Sequence, residues 1–134
     1  MRPPRPGSRW SGRRLRRRAW YAVYIASEDW YARRALWYAD HLRLTGTDPS
    51  CAVCGQPWRL RDGDLHHASY ERLGHERHAD LIPMCRDDHR ALHDLWDAVP
   101  SWRRLGRARA TVGIIAALRR NLHQHGPVVE ERAT

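Results

Sequence analysis

Between Cys51 and His93 the chain reads CAVCGQPWRLRDGDLHHASYERLGHERHADLIPMCRDDHRALH. Three cysteines, a His66-His67 pair and a His89-x3-His93 pair fall within these 43 residues. Thiols and imidazoles at such spacings are metal-ligand chemistry. Ligands to one ion must converge on a point, which constrains the fold more than any apolar pattern here. Two kinds of site are superimposed. The sulfur group suits a closed, structural ion, whereas an imidazole group leaves coordination positions open for substrate.

The rest of the composition agrees with a small metal-supported domain. A chain of 134 residues holds one domain with tails and a modest core. Seven Trp and five Tyr supply much of the apolar bulk, and Phe is absent. A core this small gains from a metal staple. The odd cysteine count and the Cys51-x2-Cys54 spacing argue against a secreted disulfide scaffold and for a reducing, cytoplasmic setting. No apolar run approaches transmembrane length, so no membrane partner is expected.

All 24 basic residues are Arg. The guanidinium fork matches phosphate oxygens in pairs, although GC-rich coding alone accounts for a lack of Lys. Distribution says more than the total of +9. Residues 1–27 carry +8, residues 28–97 carry −4, residues 98–129 carry +6 and the last five carry −1. A mildly acidic module with basic flanks implies a polyanionic partner, because neutralising phosphates releases counterions. Arg13, Arg14, Arg16, Arg17 and Arg18 are the candidate phosphate contacts. DNA is the expected partner, RNA remains open, and oligomeric state is not addressed by the sequence.

Five segments follow. Residues 1–18, rich in Arg, Pro, Gly and Ser, form an arm expected to be disordered when free. Residues 19–46 are a helical region, broken near Ser27, which is a plausible N-cap, and stopped at Gly46. Tyr31, Ala35, Tyr38 and Leu42 recur there at helical spacing and predict its core face. Residues 47–98 carry the metal-ligand pattern. Within them, 58–61 and 64–68 are predicted to pair as a hairpin through Asp62-Gly63. Residues 69–79 are a polar loop, Leu81-Ile82 is a short strand closed by Pro83, and a helix runs from Cys85 to about Asp97. Residues 99–126 form a basic helical region with a helix over Thr111 to Gln124. Its predicted packing face is Val112, Ile115, Leu118 and Leu122, with Gly126 as C-cap. Residues 127–134 are a tail.

His89 and His93, four apart on a helix, share one face and can share one ion. His66 and His67, adjacent on a strand, point to opposite faces. One can then bind metal while the other does not.

These residues carry a family resemblance. The pieces are Cys51-x2-Cys54-Gly55, Leu65-His66-His67-x2-Tyr70, Leu73-Gly74-x-Glu76, Asp80-Leu81-Ile82-Pro83-x-Cys85 and His89-x3-His93. In that order they resemble the HNH endonucleases of the ββα-metal fold, in their zinc-knuckle form. Tyr24-x2-Ser27-x2-Trp30 resembles, more loosely, a helix that leads into such knuckles. The resemblance implies an α+β fold: a small ββα-metal core with a zinc knuckle, flanked by N-terminal and C-terminal helices. It implies a phosphodiester hydrolase acting on DNA. His67 would be the general base, and His66, His89 and His93 would hold a divalent metal (Mg, Mn, Ni or Zn). Asp80 would stand for the middle Asn that orients the catalytic loop and histidine. Glu76 and Tyr70 match family positions of no derived role.

The resemblance breaks at the second knuckle, Cys85-Arg-Asp-Asp88, where the family has a fourth thiolate. Asp binds zinc through oxygen, so Cys51, Cys54, Cys85 and Asp88 remain a chemically sound structural zinc set. His78 is the alternative fourth ligand. A non-catalytic nucleic-acid-binding module and a packaging accessory protein are the competing readings.

Overall fold

The computed structural model describes residues 7–125, and the side chains of residues 16–122. It is a mixed α+β structure: helices α1 (Gly7–Ile25) and α2 (Glu28–Thr45), strands β1 (Asp64–His67) and β2 (Leu81–Met84), then α3 (Arg86–Ala98), the single turn α4 (Ser101–Arg104) and α5 (Arg107–His125). No helix among the described residues is long and apolar enough to cross a membrane.

The helix boundaries follow local chemistry. Ser27 caps α2 by accepting from the Trp30 backbone N–H at 3.3 Å, with Glu28 and Asp29 in the first turn. Gly46 closes it with φ 70°, a left-handed conformation that glycine adopts without steric cost. Cys85 caps α3 and its sulfur accepts from the Asp88 N–H.

Strand β1 runs antiparallel to β2, with Leu65 opposite Pro83, His66 opposite Ile82 and His67 opposite Leu81. The two-residue period of a strand sends alternate side chains to opposite faces. Leu65 and Leu81 join one core with Tyr24, Trp30, Trp37 and Trp58. Ile82 and Met84 join another with Cys51, Val53, Leu92, Ile114 and Ile115. The thin sheet therefore separates an aromatic layer, supplied by α1 and α2, from an aliphatic layer supplied by α3 and α5.

Several expectations need correction. Residues 7–18, read as a disordered arm, belong to helix α1, while residues 1–6 lie outside the described part. Residues 58–61 form no strand; β1 pairs with β2 instead, and β2 continues through Pro83 to Met84. At Asp62-Gly63 there is a turn closed by Gly63 N–H donating to the Arg59 carbonyl at 2.8 Å. Glycine is required because the Trp58 indole lies 2.2 Å from where a Cβ would sit. That indole donates to the Asp64 carbonyl at 2.8 Å, which caps the strand rather than extending it into a hairpin.

The α2 face matches the predicted one only at Tyr38, which packs half-buried against the aromatic core. Tyr31 is 59% exposed and Leu42 36%, whereas Trp30 and Trp37 are buried. Indole rings bury more apolar area than phenols, so they take the inner positions. Truncating Trp37 to Ala would cost about 3–5 kcal/mol. On α5, Val112 is 68% exposed and Leu122 40%, and the helix packs through Ala110, Thr111, Ile114 and Ile115, with Leu118 half-buried. This helix begins at Arg107, four residues before the predicted start. Gly126, its predicted C-cap, lies outside the described residues.

Candidate metal centres and their surroundings

Helix α3 carries ligands toward two centres at once. Cys85 and Asp88 are three residues apart and face the 51–56 loop, whereas His89 and His93, four apart, face β1. One residue step on a helix turns 100°, enough to give adjacent Asp88 and His89 different partners.

In the first centre, ligand atoms of Cys51, Cys54, Cys85 and Asp88 all lie within 4.8 Å of one another. The 51–56 loop is shaped for this: Gly55 N–H donates to the Cys51 carbonyl at 2.9 Å and Cys51 N–H to the Gln56 carbonyl at 2.8 Å. One Asp88 carboxylate oxygen sits 3.1 Å from both the Cys51 and Cys85 sulfurs. Burial pushes the Cys85 thiol up to about 12, against the opposing hydrogen bond from the Asp88 N–H. Three thiols crowded on a carboxylate are the donor set of a thiophilic cation, and this group fits a metal such as zinc. His78 takes no part: it stacks on Trp37 with ring centroids 4.9 Å apart and 5° between planes.

In the second centre, His66, His89 and His93 offer nitrogens within 4.8 Å of one another. His66 Nδ1 is 3.3 Å from His89 Nε2, which is 3.1 Å from His93 Nε2. The outer nitrogens of two of these rings are held. His89 Nδ1 lies 3.0 Å from an Asp64 carboxylate oxygen, and His66 Nε2 lies 3.0 Å from the Thr111 hydroxyl. Such outer partners fix the tautomer and aim the inner lone pair at a shared ion. Burial, then the charge of Arg107, lowers His66 to about 2, so it stays neutral with one nitrogen free to offer a lone pair. The trio fits a divalent cation with open coordination positions.

His67 points the other way, as its strand position demands. Its side chain is 0% exposed and is enclosed by Tyr21, Tyr24 and Trp30, the last at 4.8 Å between centroids. Nε2 is 3.3 Å from Glu76, and Nδ1 has no partner among the described residues. Glu76 is itself fixed by the Tyr24 hydroxyl at 2.7 and 2.8 Å and the Gly74 N–H at 2.6 Å. Burial would raise the Glu76 carboxyl, but hydrogen bonds from His67 and Tyr24 outweigh it and hold the group below its usual value. A carboxylate on Nε2 keeps the proton there and leaves the Nδ1 lone pair as the basic position.

Asp80 does not touch His67. Its carboxylate accepts from the Arg72 guanidinium, at 2.6 Å to Nε, and from the Arg77 N–H at 2.9 Å. It ties the 72–80 loop together, and the histidine-orienting contact belongs to Glu76. The extra negative charge relative to Asn is matched by Arg72.

Of the expected phosphate contacts, Arg16, Arg17 and Arg18 are exposed on α1, and the side chains of Arg13 and Arg14 lie outside the described residues. Cavities flank the imidazole trio. One of about 420 Å³ reaches His89 and Asp64 and is lined by Tyr31, Arg34, Arg61 and Arg86. Another of about 240 Å³ reaches His93 and is lined by Arg17, Arg18, Trp96 and Arg107. Tyr21 lines both. The central segment, acidic by count, thus lines the cavity that reaches His89 with three arginines of residues 34–86.

No family model, curated protein or solved structure matches this chain.

Sequence reading overlooked Asp64, Thr111 and Arg107. Asp64 carried a signal, being two residues before His66 and so on the same strand face. Thr111 and Arg107 carried none, since they reach the site only through the packing of α5.

Proposed function

We propose that the chain is a metal-dependent endonuclease of the HNH type, with a ββα-metal core and a zinc knuckle, that hydrolyses DNA phosphodiester bonds. The observation that carries this reading is the convergence of His66, His89 and His93, with Asp64 and Thr111 holding two of the three rings. A divalent cation bound there would supply Lewis acidity to the phosphate and the leaving oxygen. His67, the next residue on β1, takes the proton of the attacking water at Nδ1. Glu76 keeps Nε2 protonated and stabilises the imidazolium that results. Arginines in the flanking cavities hold backbone phosphates with little sequence readout. By the resemblance, the products carry 5′-phosphate and 3′-hydroxyl ends. Cys51, Cys54, Cys85 and Asp88 would hold a structural zinc that sets the angle between β1 and α3.

A second reading, a non-catalytic nucleic-acid-binding module, is favoured by one observation: the His67 side chain is fully enclosed. A general base must meet water, so catalysis requires Tyr21 and the end of α1 to give way.

Supercoiled plasmid incubated with Mg²⁺, Mn²⁺, Ni²⁺ or Zn²⁺ separates the two. The nuclease reading expects metal-dependent nicking that is lost in His67→Ala while DNA affinity is kept. Binding without nicking by either protein would favour the module.

A further inference from the structure

Arg107 opens α5, outside the segment that carries the metal-ligand pattern. Its side chain is half-buried, yet no carboxylate lies within ion-pair distance among the described residues. Removing a guanidinium from water without a counter-ion is costly. Its helix position adds to the cost, because Arg107 and Arg109 stand in a first turn with no acid, where the helix dipole disfavours cations. Placements that violate a local rule this way are expected at functional sites.

The guanidinium is nevertheless held firmly. Nε donates to the His67 carbonyl at 2.7 Å, and the guanidinium carbon lies 3.9 Å from the centroid of the Tyr70 ring. The carbonyl uses one of five N–H groups. The group is therefore pre-oriented rather than neutralised. It lines the cavity of about 240 Å³ together with His93, Arg17 and Arg18.

We infer that Arg107 is a phosphate-contacting residue, and that the cavity it shares with His93, Arg17 and Arg18 receives the backbone phosphate next to the imidazole trio. The choice of a phosphodiester as the anion rests on the nuclease reading; the need for an anion rests on the unpaired, pre-oriented charge alone. Arg107 would then be the residue through which α5 joins the site.

Full-length protein, as purified and without added metal, is titrated with a fluorescein-labelled DNA duplex over a series of NaCl concentrations. Arg107→Gln is expected to weaken binding about tenfold and to reduce the slope of log affinity against log salt by about one. A slope equal to that of the unmodified chain overturns the inference. A measurement on the unmodified chain guards against a variant that fails to fold. Peptide mapping after treatment with phenylglyoxal should show Arg107 protected several-fold by the duplex, and equal labelling with and without DNA overturns the inference. Neither readout depends on turnover. Absence of plasmid nicking would therefore sink the nuclease reading without touching Arg107, and an unchanged slope would sink Arg107 while leaving nicking intact.

Discussion

An imidazole has two nitrogens, and what touches one decides what the other can do. The Asp64 carboxylate at His89 Nδ1 and the Thr111 hydroxyl at His66 Nε2 leave the inner nitrogens of both rings facing each other at 3.3 Å, with His93 Nε2 beside that of His89. Asp64→Asn and Thr111→Val should each weaken Co²⁺ binding at this trio by roughly tenfold or more. Visible absorption distinguishes the centres, since the thiolate-to-cobalt bands of the Cys51 group should be unchanged. Equal affinity in both variants would mean that these contacts do not serve a metal. Asp80 offers a separate test. The Arg72 hydrogen bond, more than the Arg77 N–H, holds its carboxyl below the ordinary 3.8, against the opposing effect of burial. A depressed carboxyl contributes stability that is present above its unfolded-state pKa and is lost as pH falls through the folded one. Asp80→Asn should therefore lower Tm at pH 7, and the gap to the unmodified chain should close as pH falls below about 4. A gap that stays constant to pH 2 would show that the ion pair is not its source. At this scale much was legible: period two put His66 and His67 on opposite faces, and helical spacing put His89 beside His93. The orienting partner of His67 was not legible, because Glu76 and Asp80 lie in one loop and only its folding decides which carboxylate turns inward.

Among the elements, α1 and α3 decide how the site works. Helix α3 begins at a cysteine cap and sends Asp88 to one candidate centre and His89 to the other, so one rigid element links the two groups. Helix α1 ends over His67, with Tyr21 meeting that ring edge-on at 5.5 Å between centroids and lining cavities on both sides of the trio. If Tyr21 is the cover, Tyr21→Ala should raise the rate at which diethylpyrocarbonate modifies His67 several-fold, followed by peptide mapping. An unchanged rate would place the barrier with Tyr24 or Trp30 instead. The helix boundaries at Ser27, Gly46 and Cys85 were legible, because caps are local chemistry. The faces of α2 and α5 were legible only in part: Tyr38, Ile115 and Leu118 pack inward, whereas Tyr31, Val112 and Leu122 do not. Trp30 and Tyr31 are neighbours, both aromatic, and the larger apolar area of the indole decided between them only once the opposing layer was in place. The pairing of β1 escaped for the same kind of reason: Asp62-Gly63 has the composition of a hairpin turn, but the Trp58 ring needed the space that glycine leaves.

Across the whole molecule, a two-stranded sheet is too small to hold two layers together by itself. The aliphatic layer includes Cys51 and, half-buried, Cys54 and Cys85, so a cation at those thiols would join the knuckle loop, the end of β2 and the start of α3. Ligand present at a thousandfold excess over its Kd adds about 4 kcal/mol to stability. Removing a thiol-bound metal with 1,10-phenanthroline should accordingly lower Tm by roughly 10 °C or more. An unchanged Tm in a protein shown to have carried one equivalent of metal would mean that the ion does not staple the fold. The sequence by itself determined which thiols and imidazoles could share an ion, the caps at Ser27, Gly46 and Cys85, the β1 segment and the opposed faces of His66 and His67, since all of these depend on residue type and short-range periodicity. Tertiary structure alone decided which strand β1 would pair with, that Thr111 and Arg107 would arrive from α5, and that His67 would lie enclosed under α1. The contacts from α5 join residues 40 or more positions apart, as in the hydrogen bonds from Arg107 to His67 and between Thr111 and His66. No local pattern encodes them; they follow from how the aromatic and aliphatic layers close on the sheet.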